Sequence, residues 1–188
     1  MLNFVAVRAK MQTIQQLADG LTHEDLAAAV NALADDVLAR ISSITDADVT
    51  FVPDDPAAKD DFASDSAEVG LAWTLGHVVV HLTASAEEAA FIAAELARGV
   101  VREGRSRYET PWPTVTTAAQ TRARIEESRR MLLAMLSVWP DAPHLDVTMP
   151  NPSGPRNAIA RFVSGLSHAD SHLEQISEIV RQAEVARR

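Results

Sequence analysis

All nine prolines of this 188-residue chain fall in three places, 53–56, 111–113 and 140–155, and the stretches between them are rich in Ala, Leu, Glu, Gln and Arg. Proline breaks a helix interior and the other five are among its strongest formers, so the chain reads as long helices separated by punctuated loops. Thr22 opens the first, with Asp25 three residues on in a capping-box arrangement and Leu26, Val30, Leu33, Val37, Leu38 and Ile41 at helical spacing; it should end near Ile44. The second runs from about Trp73 to Arg98 and stops at Gly99. The third begins between Thr114 and Thr117, with Gln120 completing a second capping box, and ends at Trp139 before Pro140. Pro155 suits the first turn of the last, which carries Ile159, Phe162, Val163, Leu166, Leu173, Ile176 and Val180. Four such helices without a fixed-period repeat describe an all-α four-helix bundle, with long loops after helix 1 and between helices 3 and 4.

Three segments lie outside that frame. Residues 1–20 form an N-terminal extension with one short helix around Met11–Leu17, ended by Gly20. Residues 45–70 form an acidic loop carrying Asp46, Asp48, Asp54, Asp55, Asp60 and Asp61, in which only Val49–Val52 resembles a strand. A loop of that length is either functional, partly disordered or simply a solvated acidic surface. The segment Arg102–Tyr108 is basic and reads either as a charged surface connection or as an anion-binding lid over the bundle end.

The length fits a single domain, 1–188, since domains usually run to about 100–200 residues. A net charge of −9 leaves no electrostatic footprint for nucleic acid or an anionic membrane. The apolar start, Met1–Val7, precedes the charges Arg8 and Lys10 rather than following them, so it does not read as a secretory leader. No apolar run approaches the ~20 residues of a membrane span, and a cytoplasmic location is expected. The basic residues are almost all arginine, Lys10 and Lys59 excepted, as a GC-rich bacterial genome tends to encode. Cysteine is absent, which excludes disulfides, iron–sulfur clusters, Cys-ligated zinc and a protein thiol nucleophile. Any metal is left to His, Asp and Glu.

Four of the six histidines form two pairs of identical spacing: His77-Val-Val-Val-His81 on the second helix and His168-Ala-Asp-Ser-His172 on the fourth. Residues four apart share a helix face, so each pair can offer two imidazoles to one ion, and a bundle can bring the pairs together. His23 and His144 stand apart as bystanders. On a wheel of the last helix with His168 at zero, His172 lies at about 40°, Arg161 and Ile179 at about 20° and Gly165 at about 60°, while the apolar stripe spans about 80° to 180°. The histidines therefore stand at the edge of the core stripe, facing a cleft. Gly165 either leaves room for a ligand or permits close helix contact.

Other metal chemistries fail on the same residues. A zinc-protease helix needs Glu directly after its first histidine, where this chain has Val78. A carboxylate-bridged di-iron bundle needs Glu three residues before histidine on two helices, and none stands there. Nor does the chain carry a nucleophile elbow, a phosphate loop or a dinucleotide fingerprint.

Trp73-Thr-Leu-Gly-His77-Val-Val-Val-His81-Leu82 resembles the start of the second helix in the DinB-like (DinB/YfiT) superfamily, in which a tryptophan stands eight residues before the first metal histidine. Leu166-Ser167-His168-Ala-Asp-Ser-His172-Leu-Glu-Gln175-Ile176 is similar to the motif on that superfamily's last helix. The resemblance implies an up-down-down-up four-helix bundle, often a homodimer, with a metal triad at His81, His168 and His172. Three neutral imidazoles leave coordination positions open, which suits zinc or nickel. His77 departs from the pattern: a fourth ligand, a group supporting a ligand, or a surface histidine.

Relatives of known activity include bacillithiol and glutathione S-transferases and mycothiol-dependent isomerases. The resemblance thus implies a metal-dependent thiol S-transferase or isomerase that uses a low-molecular-weight thiol such as mycothiol or bacillithiol with an electrophile. The competing reading is a non-catalytic, metal-binding, dimeric stress-response protein. Within the first, Arg161 is a candidate for an anionic group, or else a salt-bridge partner. Glu88, seven residues after His81 and on its face, either orients a ligand histidine, lines the cavity or is solvated.

Overall fold

The computed structural model describes residues 2–59, 66, 68–102 and 110–188. Its elements are α1 (Phe4–Arg8), α2 (Ile14–Ala18), α3 (His23–Arg40), α4 (Asp46–Val49), α5 (Leu75–Ala97), a 3-10 turn (Trp112–Thr114), α6 (Ala118–Ser137), α7 (Ala158–Ser171) and α8 (Leu173–Ala186). Among the described residues there is no strand. One isolated antiparallel bridge joins Met149 to Arg156 through reciprocal 3.0 Å hydrogen bonds and narrows the loop before α7.

The long helices begin where their caps stand. Thr22 accepts the Asp25 amide at 3.2 Å and Asp25 accepts the Thr22 amide at 2.9 Å, while Thr117 and Gln120 repeat the arrangement at α6. Each cap satisfies amides that the first helical turn leaves bare, worth about 1 kcal/mol.

Side-chain contacts fix the helix directions. Arg129 on α6 pairs with Asp35 of α3 at 2.7 Å while Arg122, earlier on α6, reaches the carbonyls of Ile41 and Ser42 past the end of α3, so these helices are antiparallel. Gly76 approaches Val115 at the start of α5, and Thr83 further along accepts from Arg124 on α6, so α5 and α6 run the same way. His81 meets His168 and Gly165 lies on Ala86 and Ala89, so α7 runs back along α5. The order is up, down, down, up.

The middle of the bundle is α5. Leu75, Val78, Val79, Val80, Ala93 and Leu96 are at most 2% exposed, a helix apolar on almost every side and therefore enclosed. No helix among the described residues is long and apolar enough to cross a membrane.

The structure corrects several local expectations. The expected strand at Val49–Val52 gives way to the single turn α4, because Thr45 donates its N–H and Oγ–H to Asp48 Oδ2 at 2.7 and 2.9 Å and starts a helix. Asp48 itself is 2% exposed and accepts from Arg187 Nε at 3.0 Å, and Asp46 accepts the Ala118 amide at the start of α6. This part of the acidic loop is structural rather than solvated; Asp60 and Asp61 lie outside the described residues. The N-terminal segment forms two short helices, not one, and burying Phe4 and Ala18 docks it on the bundle. Asn157, not Pro155, heads α7: its side chain accepts the Ala160 amide at 3.0 Å, and Pro155 stays in the loop. Finally, the last helix is not continuous, since α7 stops at Ser171 and α8 starts at Leu173.

Candidate metal centre

The break in the last helix falls on His172. Its backbone (φ −91°, ψ −4°) donates to Ala169 O at 3.1 Å, a tighter turn than the α-helical step, and its carbonyl then accepts from Ile176 to restart the helix. Ile179, on the histidine side of a continuous wheel, is 2% exposed.

Three rings converge there. His168 Nε2 lies 2.9 Å from His81 Nε2 and 3.4 Å from His172 Nε2, and one nitrogen from each residue falls within 4.8 Å of the others. The ring centroids stand 4.9–5.0 Å apart at interplanar angles of 62° to 83°, so the imidazoles meet edge-on around a common point instead of stacking. Lone pairs aimed at one point repel unless a proton or a cation lies between them.

Protonation is disfavoured. One edge of His168 is open to solvent, but protein crowds the rest of the ring, and this burial, with the charge of His172 second, pushes its pKa down to about 4. Burial also lowers His172, against the opposing pull of its hydrogen bond to Gln175. That bond sets the tautomer: Gln175 Oε1 can only accept, so His172 Nδ1–H donates to it at 2.8 Å and Nε2 keeps its lone pair for the centre.

Trp73 backs the rings, 4.6 Å from His81 and 6.1 Å from His172 between centroids. His77 is not among the converging groups, nor is it on the surface. It is 9% exposed and lies between two indoles, 4.4 Å from Trp73 and 4.5 Å from Trp112, the latter parallel within 1°. Gly76 makes this sandwich feasible, because a Cβ there would come within 2.5 Å of Val115 O and push the Trp112 segment away.

The remaining expected site residues lie further along the seam. Arg161 and Glu88 each stand two helical turns from the triad, roughly 10 Å along their axes. Burial lowers the Arg161 pKa, the neighbouring charge of Arg156 adds to this and that of Glu88 opposes it, so Arg161 and Glu88 answer each other across the α5–α7 seam. At Gly165 a Cβ would meet that of Ala89 at 2.4 Å, so this glycine serves close helix contact and leaves no room for a ligand. His23 stacks on Trp139 and His144 covers Gly99, both away from the triad. Of the segment Arg102–Tyr108, only Arg102 is described: it lies over Phe91 and pairs with Glu95, and residues 103–109 lie outside the described residues.

A family model for the DinB superfamily matches residues 29–176, which include the triad, Trp73 and Gln175. The chain belongs to the DinB superfamily. No curated protein and no solved structure gives a significant match. The DinB match covers α5, α6 and α7 whole, most of α3 and the start of α8. Residues that the histidine pattern alone did not single out are Gln175, which holds the His172 ring, and the two tryptophans around His77. Their signals were in plain view: Gln175 follows His172 by one turn, and Trp112 sits between two prolines.

Proposed function

We propose that His81, His168 and His172 hold one divalent metal ion, zinc or nickel, and that this ion serves thiol chemistry with a small-molecule thiol. The observation that carries the reading is the convergence of three Nε2 atoms on a point with an open side. Three imidazoles and no carboxylate or cysteine among the converging groups suit zinc or nickel better than magnesium or calcium. The metal, when bound, supplies a Lewis acid that lowers the pKa of a coordinated thiol or water.

The chain's own residues do the rest. Gln175 keeps His172 in the tautomer that presents Nε2. Trp73 closes one side of the centre with an apolar face, which keeps water from that side and strengthens charge interactions within it. With no cysteine in the chain, the sulfur comes from outside. The transferase or isomerase reaction and the homodimer implied by the resemblance belong to the same proposal.

Metal analysis of untagged protein, followed by thiol titration of the cobalt-substituted form, tests the reading. A stoichiometric ion lost in His81→Ala, with a thiolate-to-cobalt absorption band on adding thiol, is the expected result. A bound ion that no thiol perturbs, whose loss lowers the melting temperature by many degrees, would favour a purely structural metal. No ion under any loading condition would end both readings.

A further inference from the structure

The N-terminal segment encloses a pocket against the loop that leads into α7. Arg8 pairs with Asp170 and α2 packs on α7, which holds the segment in place. The facing loop is narrowed by the Met149–Arg156 bridge and turns at Gly154, where φ is +106°. Lys10, Gln12, Thr13, Gln15, Ser153 and Arg156 line a volume of about 280 Å³ between them, and none of the three converging histidines is part of it.

The charges around this pocket are of one sign. Among the described residues no Asp or Glu lines it, in a chain of net charge −9. Elsewhere Arg8, Arg40, Arg124, Arg129, Arg181 and Arg187 each meet a carboxylate. Among the described residues Arg156 meets none. Its Nη1 donates to Ser164 Oγ, burial pulls its pKa below the usual arginine value, and the charge of Arg156 bears on Arg161, another cation. A guanidinium drawn out of water without an opposite charge carries a cost that a bound anion would offset.

Lys10 supplies the second cation. It is the one non-glycine among the described residues with φ in the left-handed region, +58°. There it closes α1 by donating its N–H to Val7 O at 3.0 Å, a position that glycine usually takes. A lysine held in that conformation fits a role for its ammonium. Thr13 Oγ1 already accepts the Gln16 amide, so its own proton is left to donate; Ser153 adds a hydroxyl and Gln12 and Gln15 add amides. Val7 and Ile14 form an apolar side.

We propose that this pocket binds a small phosphate monoester, with its phosphate between Lys10 and Arg156 and its organic part against Val7 and Ile14. A dianion matches two cations, and three terminal oxygens accept from several directions at once, as donors on two facing segments require. The volume, below the roughly 300–1,000 Å³ that buries drug-sized ligands, suits a phosphate with a few carbons. The site is separate from the metal reading and stands without it.

Isothermal titration calorimetry in phosphate-free buffer, with glycerol 3-phosphate, inorganic phosphate, succinate and acetate as probes, tests the assignment. Glycerol 3-phosphate should bind most tightly and with a stoichiometry of one, and acetate most weakly. Lys10→Met and Arg156→Met should each weaken it by about tenfold or more, the worth of one charge-assisted hydrogen bond. Lys10→Arg, which keeps the charge, should bind as the wild type does, and His81→Ala should leave the affinity unchanged. Should Arg156→Met melt early for want of the Ser164 contact, the two Lys10 variants decide alone. No heat with either phosphate, wild-type affinity in Lys10→Met, or tighter binding of succinate would overturn the proposal. Loss of binding in His81→Ala would overturn it too, by moving the anion to the histidines.

Discussion

His77 and His81 stand one turn apart on α5, as His168 and His172 do at the end of α7, yet only three of the four share a centre. The α7 pair sits on the rim of its helix, where the chain breaks and both rings can turn towards one point. On α5 the neighbours enclose the helix almost completely, and the pair is divided: His81 faces α7, while His77 is packed flat between Trp73 and Trp112. Equal spacing therefore nominates candidates, and the packing around each helix decides which of them converge. Trp73 lies between the two settings, stacked on His77 and within 4.6 and 6.1 Å of the His81 and His172 rings.

The division can be broken most directly at the triad. His81→Ala or His168→Ala should weaken metal binding by more than the roughly 10–100-fold that loss of a ligand's outer hydrogen-bond partner costs, as read by competition with a chromogenic chelator. Gln175→Leu removes such an outer partner, and a loss of about 10–100-fold is expected with the fold intact by circular dichroism. His77→Ala should instead cost stability, about 2–3 kcal/mol in urea unfolding for the cavity between two indoles, while metal stoichiometry stays at one. His77→Phe, which keeps a flat ring there, should recover most of that loss.

A smaller effect follows from pH. In the metal-free fold His168 has a pKa of about 4 against 6.5 for the free side chain, and His172 moves in the same direction. As pH falls, the unfolded chain takes up the proton first, so the stability these neutral rings allow is complete above about pH 6.5 and is lost as pH drops towards 4. Comparing wild type with His168→Ala across that window in the presence of a chelator isolates the contribution; a variant with the same slope would contradict it. The smallest effect is expected at Glu88→Gln, two turns from the triad, where metal affinity should change by less than about twofold.

What was legible in the sequence was local. Thr22 with Asp25 and Thr117 with Gln120 sit within one turn of each other, so their caps follow from spacing, and the same holds for the pairs that contain His81, His168 and His172. Contacts between distant segments were not legible. The hydrogen bond from the Asp54 amide to Gln182 spans 128 residues, and the Trp112 ring reaches His77 only because Gly76 admits the segment before α6. The break at His172 was hidden as well, since no proline or glycine stands there to announce it. The acidic loop misled in a similar way: Asp46 and Asp48 look like solvated charges until a helix start and Arg187 supply their partners.

X-ray absorption at the metal edge, measured on zinc-loaded wild type and on His77→Phe, goes most directly to the division of the two histidine pairs. Three imidazole nitrogens at about 2.0–2.1 Å with a remaining ligand from solvent are expected, with the same spectrum in both proteins. Four imidazoles in the wild type falling to three in His77→Phe would contradict it.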